Sequence, residues 1–384
     1  MSEFSVGLFN DSFPPTIDGV AQTVKNYADN LCKKDCRVAV VTPKYRGVTD
    51  HYPYDVIRYP SFSVGARIGY RVGVPFGPET VHKLRSCRFD IMHIHAPFVS
   101  SVVVKTINHR PKVPVVMTYH TRFDLDIKKR VSNPALRKIA MKFVKENVNA
   151  ADEIWVVSAA SGRFLQDIGY YGPWRVMENG TDFARGTASD EAIAAVRETY
   201  NLREDVPTIL FVGRMMWYKN IRLMLDTCAL LKQQGMPFRM LFVGSGYDLP
   251  AMGKYTEELG LQEQVTFVGP IRDRDYLRAF YSAADLFFFP STYDTCGIVV
   301  KEAAACNCPS LLIRDSAAAE GAVHKVSGLL AEETPDSCAK TILEACSDPA
   351  ALRAVGARAS ETLYLSWEES VDRAYNRYRE ILKR

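Results

Sequence analysis

No stretch of this 384-residue chain stays apolar long enough to cross a bilayer, which excludes a helical membrane span. Met1-Ser2-Glu3 leads straight into an apolar strand, without the basic segment, hydrophobic core and cleavage site of a secretory leader, so none is expected. An excess of one charge is lacking too. The 48 Lys and Arg nearly balance 44 Asp and Glu, and the resulting +4 is too weak to argue for a nucleic-acid partner. The nine cysteines form no C-x-x-C pair, with Cys306 and Cys308 coming closest. Such a pattern predicts reduced thiols in the cytoplasm and no zinc site. Short-period repeats and low-complexity tracts are also missing, which excludes a solenoid.

What is present is an alternation of short β-branched runs with amphipathic helical stretches, the mark of parallel sheets covered on both faces. Strands are predicted over 5–9, 37–42, 90–95, 113–119, 153–158 and 175–178, with helices between them, notably over 21–32 and 134–149. The pattern then restarts, with strands over 208–213, 239–244, 265–269, 285–290 and 310–313 and helices over 221–234, 273–283, 298–305, 335–346 and 367–382. This predicts an α/β chain of two Rossmann-like doubly wound domains, residues 1–183 and 184–365. The C-terminal helix, 366–384, is expected to pack back towards the first domain. The polar stretch 181–206 lies between the two sets, and a hinge is expected near Asn179–Arg185. Ligands of such folds bind at the carboxyl ends of the strands, here expected in a cleft between facing domains.

The second half carries the more specific chemistry. Phe211-Val-Gly-Arg-Met-Met-Trp-Tyr-Lys219-Asn220 reads as a strand end, a loop bearing Arg214 and Lys219, then a helix. Two cations beside a helix N-terminus suit a diphosphate, although an isolated R-x4-K is more often a pair of solvated surface cations. Further on, Phe289-Pro-Ser-Thr-Tyr-Asp294-Thr-Cys-Gly297-Ile-Val-Val-Lys-Glu302 puts one carboxylate on a loop and a second inside the following helix. Gly297 gives a phosphate room to approach the amides of Ile298 and Val299, while Glu302 has the reach to accept ribose hydroxyls. The plainer alternative makes Asp294 a turn former and Glu302 a helix-surface residue.

Taken together, R-x4-K and the acid-x7-Glu segment resemble the family-4 retaining glycosyltransferases of GT-B fold. The resemblance implies that Arg214 and Lys219 hold the diphosphate of a nucleotide sugar, Asp294 the donor sugar and Glu302 the nucleotide ribose. Thr295, Cys296, Gly297, Ile298 and Val299 are similar to the E-T-F-G form of the motif and join the donor site. The family has Glu where this chain has the shorter Asp294, a departure that bears on donor-sugar preference. The loop Phe9-Asn-Asp-Ser-Phe-Pro-Pro-Thr-Ile-Asp18-Gly19-Val20 resembles the one that closes over donor phosphates, which adds Gly19 and Val20. Met117-Thr-Tyr-His120-Thr resembles a motif whose histidine approaches the donor sugar, and Glu178-Asn-Gly-Thr-Asp182 a structural turn before the hinge. His120, Arg214, Lys219 and Asp294 are therefore the expected catalytic residues. The expected reaction is hexosyl transfer to a hydroxyl with retention, UDP-glucose being the favoured donor. No cofactor and no metal are expected, since Arg214 and Lys219 supply the positive charge.

Other signals read as structural. His93 and His95 lack a third ligand and are expected to pack, while Asp273 of the D-x-D at 273–275 suits a helix cap. Asp124 and Asp126 follow the T-Y-H-T loop, a place where an acceptor could touch them. The stretch 127–145 is basic and amphipathic. Leu136, Ile139, Ala140, Phe143 and Val144 share a face, with Arg137, Lys138, Lys142 and Lys145 off it. That suits either an anionic membrane surface or a domain helix with its apolar face in the core. Phe62–Phe76, apolar, basic and glycine-broken, lies where related enzymes vary their acceptor loops. The motifs look most like those of bacterial diacylglycerol glucosyltransferases and related mannosyltransferases. A lipid acceptor at the inner leaflet of the membrane is thus expected. A mannosyl- or other hexosyltransferase acting on a soluble or cell-wall sugar acceptor, or a catalytically silent sugar-nucleotide-binding paralogue, stands as the alternative.

Overall fold

The protein is described by a computed structural model covering residues 4–16, 18–63, 71–74, 77–108 and 112–384. It divides into two compact units, Met1–Asn179 with Trp367–Arg384, and Gly180–Ser366. The chain-order strands of the first unit are β1 (Phe4–Phe9), β2 (Cys36–Pro43), β3 (Asp55–Tyr59), β4 (Ser61–Ser63), β5 (Arg71–Gly73), β6 (Ile91–Ile94), β7 (Val115–Tyr119), β8 (Glu153–Val156) and β9 (Arg175–Val176). Seven of them form a parallel sheet in the order β3-β2-β1-β6-β7-β8-β9, and β4 with β5 make a small antiparallel pair. Of the stretch Phe62–Phe76 singled out in the sequence, residues 64–70 and 75–76 lie outside the described residues.

In the second unit β10 (Thr208–Val212), β11 (Arg239–Val243), β12 (Val265–Gly269), β13 (Leu286–Phe289), β14 (Ser310–Ile313) and β15 (Leu329–Ala331) form one parallel sheet. Its order is β12-β11-β10-β13-β14-β15. Both sheets thus reverse direction once, at β1/β6 and at β10/β13, the switch points beside which doubly wound folds bind ligands. The central strands are apolar and buried along their whole length, as burial on both faces demands; β10, Thr-Ile-Leu-Phe-Val, is an example.

Two elements differ from the sequence expectation for physical reasons. The polar stretch after the first unit contains the helix Asp190–Thr199, capped by Ser189, which buries only Val196. Ala192, Ile193 and Tyr200 pack beside Val196 against the core, a stripe too short to stand out among the polar residues of this stretch. The helix Pro134–Val148 places Val144 and Val148 in the core, with Ala140 packed against it, but leaves Leu136, Ile139 and Phe143 exposed, so its apolar face is only partly covered. Helix Trp367–Leu382 packs into the first unit, where Trp367, Val371, Ala374 and Tyr378 are buried. Among the described residues no helix is long and apolar enough to cross a membrane.

Candidate active site

At the β10/β13 switch point the two chemistry-bearing loops meet. The loop after β10 makes a 3-10 turn over Trp217–Lys219 and enters the helix Ile221–Gln233 through Asn220, whose φ of 59° is left-handed. Asparagine tolerates that conformation because its short polar side chain bonds locally. Here the side-chain amide donates to Pro290 O (2.9 Å) and Glu333 Oε1 (2.5 Å), tying the loop to the end of β13. On the other flank the Met215 and Trp217 amides donate to Ser245 O and Asp248 Oδ2, both 3.0 Å. That approach demands glycine at 246, where a Cβ would stand 2.1 Å from Met215 O.

Held in this way, Lys219 Nζ reaches Asp294 Oδ1 at 2.5 Å. The second carboxylate oxygen, Oδ2, is buried and has no hydrogen-bond partner among the described residues. Such an acceptor is costly to leave unsatisfied, and a ligand hydroxyl is the group that would satisfy it. Arg214 is exposed on the same loop. Thr295 and Cys296 are half-buried, and Gly297 starts the helix Ile298–Ala305 without a side-chain cap. The amides of Ile298 and Val299, in the first turn, therefore lack intrahelical acceptors. Gly297 has a packing reason as well, since a Cβ would meet Val300 Cγ2 at 2.8 Å.

Glu302 is 6% exposed and already engaged. Arg274 Nη2 donates to its Oε1 (2.7 Å) and the Tyr281 hydroxyl to its Oε2 (2.8 Å). Burial pushes the Glu302 carboxyl above its ordinary value, and Arg274 with Tyr281 offsets only part of that. Arg274 is the middle residue of the D-x-D at 273–275, to which the sequence reading gave no role, and Tyr281 is part of no motif. Asp273, capping the same helix through the amides of Asp275 and Tyr276, does fit the sequence reading.

In the first unit, Gly19 opens the helix Gly19–Leu31, and a Cβ there would meet nothing within 4 Å. The Val20 amide, expected to face a donor phosphate, is instead taken by the capping carboxylate of Asp18 at 2.9 Å. A capping carboxylate neutralises the helix terminus that would otherwise attract an anion. His120 follows β7 and is buried. Its Nε2 lies 2.9 Å from His95 Nδ1, with the rings 15° from coplanar, the geometry of an in-plane hydrogen bond. His95 Nε2 is buried without a hydrogen-bond partner among the described residues. Burial lowers His120 to about 3, and both rings are neutral. His93 and His95 do pack, as their lack of a third ligand implied. His93 bonds Tyr378 and Thr118, but the contact of His95 with His120 has no signature in sequence spacing. Asp11, in the loop after β1, accepts from the Ser100 amide and hydroxyl at 2.8 Å, and burial lifts its carboxyl to about 6. Asp124 is occupied by Arg122 at 2.8 Å. No group of three or more His, Cys, Asp or Glu among the described residues is placed to hold a metal ion.

Residues 193–362 match the family described as "Glycosyl transferases group 1", and residues 17–185 match "Glycosyltransferase Family 4". The alpha-monoglucosyldiacylglycerol synthase of Streptococcus pneumoniae is 24% identical over 308 residues, 79% of this chain and 70% of that protein. A GDP-mannose-dependent alpha-mannosyltransferase of Corynebacterium glutamicum is 23% identical over 96% of this chain and 85% of its own. The solved structure of Anabaena HepE in complex with UDP-glucose has a TM-score of 0.75 at 17% identity, covering 98% of this chain and 100% of that one. With both halves matched in sequence and both sheets doubly wound, the chain is a glycosyltransferase of GT-B fold and belongs to the group 1 and family 4 glycosyltransferases.

Proposed function

We propose that this enzyme transfers a hexose, glucose from UDP-glucose, to a hydroxyl of a membrane glycerolipid such as diacylglycerol, with retention at the anomeric carbon. The observation that carries the donor half is the meeting of Lys219 and Asp294 at the switch point, with Asp294 Oδ2 buried and unsatisfied. In this reading the diphosphate lies against Arg214, Lys219 and the amides of Ile298 and Val299, and a sugar hydroxyl donates to Asp294. As the anomeric C–O bond breaks, negative charge grows on the departing phosphate. The two cations and the helix N-terminus stabilise it, so the reaction needs no metal. The acceptor oxygen bonds to the anomeric carbon from the same face, and its proton passes to the departing phosphate oxygen.

Lys219→Ala or Arg214→Ala is expected to lower donor turnover about 100- to 1000-fold with the fold intact, the usual cost of losing one pre-organised contact to developing charge. UDP- and GDP-sugars assayed side by side, with and without EDTA, are the measurement. Near-normal turnover in both variants would sink the site, and loss of turnover in EDTA the metal-free mechanism.

Support for a lipid acceptor comes from helix Pro134–Val148, where Leu136, Ile139 and Phe143 are 55%, 64% and 40% exposed alongside Lys138, Lys142 and Lys145. An apolar stripe flanked by cations is the surface that an anionic bilayer interface binds. The streptococcal relative, an alpha-monoglucosyldiacylglycerol synthase, points the same way. Sedimentation with anionic vesicles should be lost in Ile139→Glu/Phe143→Glu, while an enzyme acting on a soluble acceptor stays in the supernatant throughout. A mannosyl donor is the second reading, favoured by the corynebacterial relative, and the donor panel decides between them.

A further inference from the structure

The carboxylate assigned to the ribose is held by a cluster that the reaction scheme above does not use. Arg274 and Tyr281 sit seven residues apart on the helix Arg274–Ala283, so two helical turns bring them onto one face, each on a different oxygen of Glu302. Arg274 is itself fixed from the far side. Its Nε donates to Asp182 Oδ2 at 2.9 Å and its Nη2 to Asp182 Oδ1 at 2.5 Å, a two-pronged pair, while its guanidinium lies 4.3 Å from the ring centre of Phe183. Asp182 and Phe183 belong to the segment that opens the second unit, next to the bridge between Thr181 and Ser366.

We propose that Arg274 is a positioning residue for nucleotide binding: braced by Asp182, it keeps the buried Glu302 carboxylate charged and turned so that one acceptor site on each oxygen faces the ribose diol. This rests on the reading of Glu302 as the ribose-binding group. The lone pairs allow it. An ionised carboxylate offers about four acceptor sites, Arg274 and Tyr281 occupy two, and two remain for a pair of vicinal hydroxyls. The charge requires it, because a carboxylate this deeply buried would otherwise take up a proton and lose acceptor capacity. Lysine would not serve equally, since the fork geometry of the guanidinium spans both carboxylates at once.

The test is calorimetric titration of the full chain with UDP, and with GDP in parallel, from mildly acid to neutral pH. Arg274→Ala is expected to weaken nucleotide binding roughly 10- to 100-fold, the span of a hydrogen bond to a charged group. The deficit should grow as pH falls, because Glu302 without its cation protonates at higher pH. Arg274→Lys should restore the pH profile and only part of the affinity. Asp182→Asn, at an exposed position, should fall in between, and it carries the test if Arg274→Ala does not fold. Glu302→Gln should bind weakly at every pH. If Glu302→Gln binds like the parent, the ribose assignment itself fails. If Glu302→Gln is impaired while Arg274→Ala and Asp182→Asn keep parental affinity and a parental pH profile, the role given to Arg274 is overturned.

Discussion

Among single residues, the buried titratable groups of the first unit set how it responds to acid. His93, His95 and His120 are held neutral by burial, each below the ordinary 6.5. An unfolded chain takes up protons at these rings below 6.5 and the folded chain does not. Their contribution is therefore complete above 6.5 and is lost as pH falls towards the folded value, about 3 for His120. Each ring contributes at most about 1.4 kcal/mol per pH unit in that window. Asp11 works in the opposite sense. Its folded value of about 6 lies above the ordinary 3.8, so between those limits the folded state keeps a proton that the unfolded state has lost. Urea unfolding followed from neutral to mildly acid pH should show stability falling, more gently in His93→Gln and more steeply in Asp11→Asn. An unchanged slope in both would contradict the neutral-histidine picture. None of this could be read from spacing. The sequence placed His120 at a strand end, but its pairing with His95 depends on β6 and β7 being neighbours, which the order of segments along the chain does not fix.

At the level of elements, the loops at the strand ends were legible wherever residue type announced its own chemistry. Arg214, Lys219, Asp294 and Glu302 stand out by charge, and Gly297 by its place before an apolar helical run. The residues that hold those loops together were not legible, because they look ordinary in sequence. Asn220 reads as a turn residue, Gly246 as one more glycine, and Arg274 as a solvated cation at the start of an amphipathic helix. Asn220 separates the two roles such a residue can have. Asn220→Gly keeps the left-handed φ at little conformational cost but removes the bonds to Pro290 O and Glu333. Asn220→Ala loses both and adds about 1–2 kcal/mol of left-handed strain. Both variants should lose donor turnover, and Asn220→Ala should also melt earlier. Equal turnover in Asn220→Gly and the parent would show that the tie between the two loops is dispensable.

The scale of the whole molecule is where one short segment completes a fold begun hundreds of residues earlier. Its amphipathic character was legible from periodicity, which calls for a partner but does not say which unit supplies it. The contacts that make it indispensable were not. The Tyr378 ring stacks at 18° on Trp155 of β8 and its hydroxyl meets His93, Arg377 pairs with Glu153, and Tyr375 stacks on Phe4 of β1. Trp367, Val371, Ala374 and Tyr378 are buried against the first unit. Burying a large side chain stabilises by roughly 1.5–3 kcal/mol, so losing several forfeits much of the ~5–15 kcal/mol that holds a domain together. A chain ending at Ser366 should therefore keep hydrogen-exchange protection in the strands β10–β15 and lose it in β1, β6, β7 and β8. It should also still bind nucleotide, because every group assigned to the diphosphate and ribose apart from Gly19 and Val20 lies within Gly180–Ser366. Uniform loss of protection across both sheets would mean that the units do not fold separately, and full protection in β1 and β6–β8 that the helix is an ornament to the first unit.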